Sequence, residues 1–319
     1  MADAREQAQA DVLVAGELKP LLPREPFPGR GTEWIEAHEP TPAGDYVAIV
    51  PLLSRTVGPE ELDGLPRLRV LANCAVGYDN VDLAAAAERG VVVTNTPDVL
   101  TESTADLAWA LILAATRRLR EGLAMLEDGR WEGWDPTQLL GLELSESTLG
   151  VVGAGRIGRA VARRATGFGM RILYTDTRRV EALEEETGAE RTELEDLLKA
   201  SDVVTVHVPS TPETRGLFDR ERFSLMKAGA YFINTARGDL VDEDALIWAL
   251  SSGRLAGAGL DVFRREPEVP GELLNHPAVF PLPHIGSATT HTRRAMAELA
   301  VENARRVLEG EEPLTPVTD

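Results

Sequence analysis

Short runs of apolar and β-branched residues recur along this chain, and loops or stretches with helical spacing separate them. Runs of this length that are apolar throughout are typical of strands buried on both faces of a parallel sheet. Parallel strands need crossover connections, which the intervening helices supply. The predicted strands cover 11–14, 46–52, 69–73, 91–94, 148–152, 172–175, 203–208, 230–235, 256–260 and a short segment around Val279. We therefore predict an α/β protein built from doubly wound, Rossmann-like parallel sheets.

The predicted elements fall into two groups, and the 319 residues of the chain are enough for about two domains. A single long apolar helix is predicted over about 101–119, and a denser alternation of strands and helices follows it. A last helix is predicted over about 289–308, and we expect it to return to the first group of elements. The predicted domains are a discontinuous one at 1–97 and 286–319 and a continuous one at 98–285.

The charge and the cysteine content exclude several classes of protein. The chain has 33 Lys and Arg against 52 Asp and Glu, a formal net charge of −19. Such a surface repels nucleic acids and anionic membranes, so we expect neither as a partner. The single cysteine, Cys74, excludes an internal disulfide and a cysteine-cluster metal site, and no spacing of His, Asp and Glu predicts a bound metal. The sequence shows neither a signal-peptide core nor an apolar run of membrane length, and we expect a cytoplasmic protein.

A glycine-rich turn carries the strongest local signal. Gly153, Gly155 and Gly158 form a G-x-G-x-x-G motif that directly follows a predicted strand and opens a predicted helix. The first glycine permits the tight turn, the second lets a pyrophosphate approach the backbone, and the third lets helix and strand pack closely. The helix N-terminus then presents free N–H groups to the phosphates. This motif predicts a dinucleotide site.

The residue that ends the next predicted strand, Asp176, bears on the choice of dinucleotide. A carboxylate near this position accepts hydrogen bonds from the adenosine ribose and repels a 2′-phosphate, so NAD(H) is the preferred cofactor. Arg178 and Arg179 follow immediately and can offset that preference, so NADP(H) stays possible. The alternative is a glycine turn in another α/β fold, with Asp176 merely capping a helix.

Three charged residues each follow a predicted strand in the second group: Arg237, Glu266 and His284. Ligands of open parallel sheets collect at the carboxyl ends of the strands, so these side chains can converge there. An arginine can bind a carboxylate through two hydrogen bonds, and a histidine paired with a glutamate can transfer a proton near neutral pH. The alternatives are a solvated arginine and an ordinary loop glutamate. His207 is a weaker candidate that either lines the cofactor crevice or satisfies a backbone group.

Several sequence blocks together resemble the D-2-hydroxyacid dehydrogenase family. The blocks are NCAVGYDNVD, VTNTPDVLTESTADLAWAL, VVGAGRIG, NTARGDLVDEDAL, GAGLDVFRREP and PHIGSAT, in the order of the family and spread over about 45–310. Within the family the sequence is most similar to glyoxylate/hydroxypyruvate reductases, through WEGWDPTQLLG and the loop PLLSR.

The resemblance implies roles for individual residues. Arg237, Glu266 and His284 would be the catalytic set. The substrate would contact the backbone amides around Val76 and Gly77, the side chains of Leu53 and Ser54, and Trp134 from a neighbouring subunit of a homodimer. Besides the glycine motif and Asp176, the cofactor would contact Thr104, Arg156, Ile157, Pro209, Thr235, Ala236, Asp261 and Gly286. The discontinuous domain would bind the substrate.

The reaction implied is hydride transfer from a nicotinamide dinucleotide to a small 2-oxo acid, such as glyoxylate or hydroxypyruvate, giving a D-2-hydroxy acid. One alternative is another activity of the same family, such as 3-phosphoglycerate dehydrogenase, although its phosphorylated substrate requires more cations than PLLSR supplies. A second alternative is a non-catalytic, NADH-sensing protein of the corepressor type.

Overall fold

The computed structural model describes residues 11–317, which form two compact units. The smaller unit contains the described residues up to Leu100 and those from Ala288 onward. The larger unit is Thr101–Ser287. No helix within 11–317 is long and apolar enough to cross a membrane.

The strands are short. They are β1 Val12–Ala15, β2 Thr32–Ile35, β3 Ala48–Val50, β4 Val70–Ala72, β5 Val92–Thr94, β6 Thr148–Val152, β7 Arg171–Thr175, β8 Glu190–Arg191, β9 Val203–Val206, β10 Ala230–Asn234, β11 Leu255–Leu260 and β12 Val279–Pro281. The central strands of each sheet are buried, as expected for parallel sheets, whereas the edge strands β2 and β8 are half-buried and exposed, respectively.

Helices connect and cover these strands. They are α1 Pro59–Asp63, α2 Leu83–Glu88, α3 Thr101–Thr116, α4 Leu119–Glu127, α5 Arg156–Gly167, α6 Glu181–Thr187, α7 Leu194–Ala200, α8 Arg220–Leu225, α9 Glu243–Ser251, α10 Gly271–Leu274 and α11 Thr290–Glu309. Short 3₁₀ turns lie at Gly16–Leu18, Leu144–Glu146 and Gly238–Leu240.

The smaller unit contains a five-stranded parallel sheet in the order β2-β1-β3-β4-β5. Leu13, Ile49 and Leu71 are fully buried in its core. The last helix, α11, packs against this sheet, and Arg69 donates hydrogen bonds to the carbonyls of Val307 and Leu308 at 2.8 and 3.2 Å. This contact explains how the C-terminal helix joins the unit formed by the first part of the chain.

The larger unit contains a seven-stranded parallel sheet in the order β12-β11-β10-β9-β6-β7-β8. Strands β7 and β8 lie on one side of β6, and the later strands β9 to β12 lie on its other side. The order in which the chain adds strands therefore reverses at β6. Ligands of doubly wound sheets bind at the carboxyl ends of the strands beside such a switch point. Apolar clusters cover both faces, one around Phe218, Phe223 and Phe232 and the other around Leu149 and Tyr174.

These observations confirm the predicted fold class of two Rossmann-like parallel sheets. The long apolar helix predicted over about 101–119 is present as α3, but it ends slightly earlier than predicted, at Thr116, and a second helix, α4, begins at Leu119. Arg118 between them has a left-handed backbone with φ of 53°. The carbonyl of Thr116 accepts a hydrogen bond from Leu142 at 3.0 Å instead of from a residue farther along a continuous helix. The left-handed backbone of Arg118 breaks the helix, and a distant loop supplies a donor to the carbonyl left at the end of α3.

Candidate active site

The glycine-rich turn joins β6 to α5 and has the geometry that its sequence predicts. Gly153 has a φ of 94°, and a Cβ there would lie 2.8 Å from the backbone of His207. A Cβ on Gly158 would lie 1.9 Å from the carbonyl oxygen of Gly153, so helix and turn can approach only without a side chain. Gly155 has open space around its Cβ position, and it caps the N-terminus of α5. A phosphate can therefore approach the backbone at Gly155, which fits a dinucleotide.

Asp176 follows β7 and lies beside this turn. Its Oδ2 accepts a hydrogen bond from the backbone N–H of Ala154 at 2.8 Å. Arg179 donates two hydrogen bonds to Oε2 of Glu184, at 2.9 and 2.6 Å, so one of the two nearby guanidinium groups is already paired. The carboxylate of Asp176 thus fixes the turn and presents negative charge at the end of the strand.

The other predicted cofactor contacts lie around the carboxyl ends of the same sheet. Arg156 and Ile157 open α5, Pro209 follows β9, and Thr235 and Ala236 follow β10. Thr104, in the first turn of α3, approaches Gly286, since a Cβ on that glycine would lie 3.5 Å from the Thr104 hydroxyl. The hydroxyl of Thr235 is buried and has no hydrogen-bond partner within 11–317. These residues carry backbone and hydroxyl groups along the strand ends, where a ligand of a doubly wound sheet binds.

His284 and Glu266 form a hydrogen-bonded pair after β12 and β11. Nδ1 of His284 lies 2.7 Å from Oε2 of Glu266, and the two side chains are 35% and 36% exposed. The other oxygen of Glu266 accepts the N–H of Phe263 at 3.0 Å. Burial raises the pKa of Glu266, but the hydrogen bonds from His284 and Phe263 and the charges of His284 and Arg237 bring it below its usual range. Glu266 is therefore ionised and holds one ring nitrogen of His284, which leaves Nε2 for proton transfer.

A buried carboxylate holds the turn on which His284 lies. The oxygens of Asp261 accept the N–H groups of Ile285 and Gly286, each at 2.8 Å, and its carbonyl accepts the N–H of His284 at 2.9 Å. His284 has a φ of 54°, which is unfavourable for a non-glycine residue. Burial raises the pKa of Asp261, and the two backbone N–H groups oppose that effect. The sequence resemblance implies cofactor contact for Asp261 and did not reveal this positioning role.

Arg237 follows β10 in a turn that packs against the loop of Glu266. Asn234 donates to the carbonyl of Arg237 at 2.8 Å and thereby shapes the turn. A Cβ on Gly238 would lie only 1.9 Å from the carbonyl carbon of Phe263, so the two loops are in close contact. The structure therefore brings Arg237, Glu266 and His284 to one edge of the larger sheet. Sequence reasoning assigned no role to Asn234 and Gly238, although both lie within the block NTARGDLVDEDAL that carries Arg237.

The residues predicted to contact substrate through the smaller unit lie in two of its loops. Leu53 and Ser54 follow β3 in a turn closed by the hydrogen bond from Arg55 N–H to the Leu52 carbonyl, at 3.0 Å. The guanidinium of Arg55 is buried and donates to the carbonyls of residues 36 and 39 at 2.6 and 2.9 Å. Val76 and Gly77 follow β4 and are half-buried.

Two titratable groups, the half-buried His207 and the buried Cys74, have no catalytic features. Desolvation lowers the pKa of His207 to about 3, and its Nε2 is hydrogen-bonded to the Thr205 hydroxyl at 2.8 Å. His207 is therefore a neutral histidine bonded to a side chain. Burial raises the pKa of the Cys74 thiol to about 12, which fits a small buried side chain that is not a reactive thiolate. Among residues 11–317, no group of three or more potential ligands can hold a metal.

The segment from α4 to the following loop carries an unusual apolar surface. Its exposed apolar side chains are Leu119, Leu123, Leu126, Trp131, Trp134 and Leu140. Trp134 is 84% exposed. Trp109 of α3, by contrast, is buried, stacks on Phe168 at 4.3 Å and donates to the carbonyl of Val161.

The glycine turn, the acid at the end of β7 and the histidine–glutamate pair on one doubly wound sheet define a dinucleotide-dependent oxidoreductase. Residues 109–286 match the family described as "D-isomer specific 2-hydroxyacid dehydrogenase, NAD binding domain". The chain belongs to this family, whose members act on CH–OH groups with a nicotinamide dinucleotide. It is 50% identical over 277 residues to a glyoxylate reductase of Thermococcus kodakarensis, a match that covers 86% of this chain and 83% of the relative.

Solved structures of two family members are similar over nearly the whole chain. The NADPH-dependent glyoxylate/hydroxypyruvate reductase of Sinorhizobium meliloti, in complex with NADP and malonate, is 40% identical with a TM-score of 0.87, over 97% of each chain. The D-lactate dehydrogenase of Aquifex aeolicus, in complex with NAD and lactic acid, is 31% identical with a TM-score of 0.85, over 94% of this chain and 96% of the other. The family therefore includes proteins that bind either dinucleotide.

Proposed function

We propose that this protein reduces a small 2-oxo acid, with glyoxylate and hydroxypyruvate as the preferred substrates, and forms the D isomer where the product is chiral. The observation that carries the proposal is the 2.7 Å contact between His284 and Glu266 on the same sheet as the glycine turn. The similarity to glyoxylate reductases at 50% identity supports the choice of substrate.

In this proposal the protein orients the substrate and supplies a proton, whereas the bound nicotinamide supplies the hydride. Protonated His284 donates from Nε2 to the carbonyl oxygen as negative charge develops there. Glu266 accepts the Nδ1–H and stabilises the imidazolium until the proton leaves. Asp261 holds the turn that sets the direction of the ring.

The substrate carboxylate is assigned to two sets of donors. Arg237 provides a guanidinium that can form two hydrogen bonds to a carboxylate. The backbone N–H groups of Val76 and Gly77 provide donors without adding charge, and Leu53 and Ser54 would line the pocket. With these roles, the domain at 1–97 and 286–319 binds the substrate and the domain at 98–285 binds the dinucleotide.

We assign NADH as the preferred cofactor because Asp176 places a carboxylate where a 2′-phosphate would lie. The pairing of Arg179 with Glu184 supports this preference, since it withdraws one of the guanidinium groups that could neutralise the phosphate. The main-chain groups from Gly153 to Gly158 would hold the pyrophosphate. Thr104, Arg156, Ile157, Pro209, Thr235, Ala236, Asp261 and Gly286 would contact the rest of the dinucleotide.

The apolar surface of α4 and the following loop supports a homodimer. Six large apolar side chains are exposed within one segment, and concentrated exposed apolar surface is typical of protein–protein interfaces. We assign Trp134 to the substrate pocket of the partner subunit, following the resemblance to reductases of this type. The cytoplasmic location remains a prediction from the sequence.

The test is NADH consumption, followed by absorbance, with a panel of 2-oxo acids. We expect turnover with glyoxylate and hydroxypyruvate, and a loss of at least about 100-fold in kcat on His284→Ala, because general acid catalysis contributes about that much. His291→Ala, an exposed histidine in α11, serves as the matched control and should leave kcat unchanged. Tight NADH binding without turnover of any 2-oxo acid would instead support the sensor alternative, and selective turnover of 3-phosphohydroxypyruvate would support the phosphoglycerate alternative.

A further inference from the structure

The loop after β4 has three successive carbonyls that accept hydrogen bonds from donors in the smaller unit. Two of these donors are side-chain amides and one is a backbone N–H. They are Thr96 N–H to the Ala75 carbonyl at 2.8 Å, Asn95 Nδ2 to the Val76 carbonyl at 2.8 Å, and Asn73 Nδ2 to the Gly77 carbonyl at 2.9 Å.

These hydrogen bonds fix the direction of the N–H groups in the same peptides. The peptides are trans, so each N–H points away from the carbonyl that precedes it. With the carbonyls of residues 75 and 76 directed at their donors, the N–H groups of Val76 and Gly77 point the opposite way. Neither N–H donates to any acceptor within 11–317, and both residues are half-buried. Half-buried donors without a protein acceptor are suited to an anionic ligand.

The amide of Asn73 is itself held in place. Asn73 is fully buried, and its side chain exchanges hydrogen bonds with that of Asn80 at 3.1 and 3.2 Å. Asn80 also donates to the carbonyl of Arg55 at 2.9 Å. The same network therefore fixes the loop that carries Leu53 and Ser54, next to the loop that carries Val76 and Gly77.

Asn95 is anchored through its main chain. Its N–H donates to the carbonyl of Thr315 at 3.3 Å, and its carbonyl accepts the Thr315 hydroxyl at 2.6 Å. A change of the Asn95 side chain leaves both of these contacts available, so it removes the donor to Val76 selectively.

We infer that Asn95 and Asn73 are positioning residues for recognition of the substrate carboxylate. They hold the carbonyls of Val76 and Gly77 away from the anion, because a carbonyl oxygen turned towards a carboxylate would repel it. The affinity for the carboxylate then depends on amide side chains that do not touch it. The inference rests on the proposed function, since it concerns the amides assigned there to the substrate.

The test replaces Asn95 by Leu, which has a similar size and no donor. Asn275→Leu is the matched control, because Asn275 also donates to a backbone carbonyl at 2.8 Å but lies at the end of α10 in the larger unit. The probe is oxalate, titrated into the complex of each variant with NADH, together with the KM and kcat for glyoxylate. If Asn95→Leu does not fold, Asn95→Ser, which is smaller and too short to reach the carbonyl, is used instead.

We expect Asn95→Leu to raise the Kd of oxalate and the KM of glyoxylate by about tenfold, since one misdirected hydrogen bond corresponds to about that factor. kcat should stay within about threefold, and the Kd of NADH should not change. Oxalate binding equal to that of the wild type, or an equal loss of NADH and oxalate affinity, would overturn the inference. Absence of glyoxylate turnover in the wild type would overturn the proposed function, which distinguishes the two failures.

Discussion

Replacing Glu266 by Gln tests the pairing that the proposed mechanism requires, because it removes the charge and keeps the size of the side chain. In the wild type the Oε2–Nδ1 distance is 2.7 Å. Hydrogen bonds to charged groups contribute about 1.5–3 kcal/mol, and because each side chain is about one-third exposed we take about 2 kcal/mol. At about 1.4 kcal/mol per factor of ten, kcat should fall by about 30-fold.

The pH dependence gives a second readout of the same substitution. The pKa of Glu266 lies below its usual range, so the carboxylate that holds Nδ1 of His284 is present above that lowered pKa and is lost as the pH falls through it. Wild-type kcat should therefore decline at acidic pH. Glu266→Gln has no carboxylate to titrate here, and its kcat should decline less steeply over the same range.

The assay is NADH oxidation with saturating glyoxylate across a pH series, for the wild type and the variant. Glu268→Gln is the matched control, since Glu268 is exposed in the same loop and lies two residues away. The KM of NADH should be the same in all three proteins. A kcat of Glu266→Gln within threefold of the wild type, with an unchanged acid limb, would refute the reasoning.

Three further substitutions test other parts of the structure. Asp176→Asn keeps an acceptor for the glycine turn but removes the charge, and should raise kcat/KM for NADPH by about tenfold in kinetic assays, because the repulsion of a 2′-phosphate is relieved. Gly158→Ala places a methyl group against a backbone carbonyl and should lower stability by about 3 kcal/mol or more in thermal unfolding, whereas Gly167→Ala, in the same helix with open space around it, should not destabilise. Leu126→Glu should convert the proposed dimer to a monomer in sedimentation, whereas Leu314→Glu, similarly exposed but outside the apolar segment, should not.

Each of these predictions has a result that contradicts it. An unchanged preference for NADH in Asp176→Asn would show that the Asp176 carboxylate does not determine the choice of cofactor. Equal melting temperatures of the two alanine variants would contradict the close approach at Gly158. A monomeric wild type, or a dimer that persists in Leu126→Glu, would show that the apolar segment does not mediate subunit association.

The sheets and the glycine turn could be predicted because their signals are local. Most strands are short apolar runs, and the turn at Gly153 needs a backbone conformation that glycine adopts easily. Strand β2 was missed because TEWI is mostly half-exposed and lacks a continuous apolar run. Helix α9 was missed although Asp242 caps it, and the donor to the last carbonyl of α3 comes from Leu142, far along the chain.

The supporting residues of the candidate site could not be predicted, because their contacts join segments that are distant along the chain. Arg237, Glu266 and His284 each follow a strand, so the sequence indicates where they lie. The hydrogen bonds of Asp261 to Ile285 and of Asn95 to Val76 link segments that the chain order separates. No pattern in the sequence around Asp261 or Asn95 indicates that its side chain forms a hydrogen bond with the backbone of a distant segment.

The central claim is that this chain reduces 2-oxo acids to D-2-hydroxy acids, and the configuration of the product tests it most directly. The purified protein is incubated with hydroxypyruvate and NADH, and the glycerate formed is resolved by chiral chromatography. The account predicts D-glycerate in amounts equal to the NADH consumed. L-Glycerate, or no glycerate while NADH binds, would contradict it.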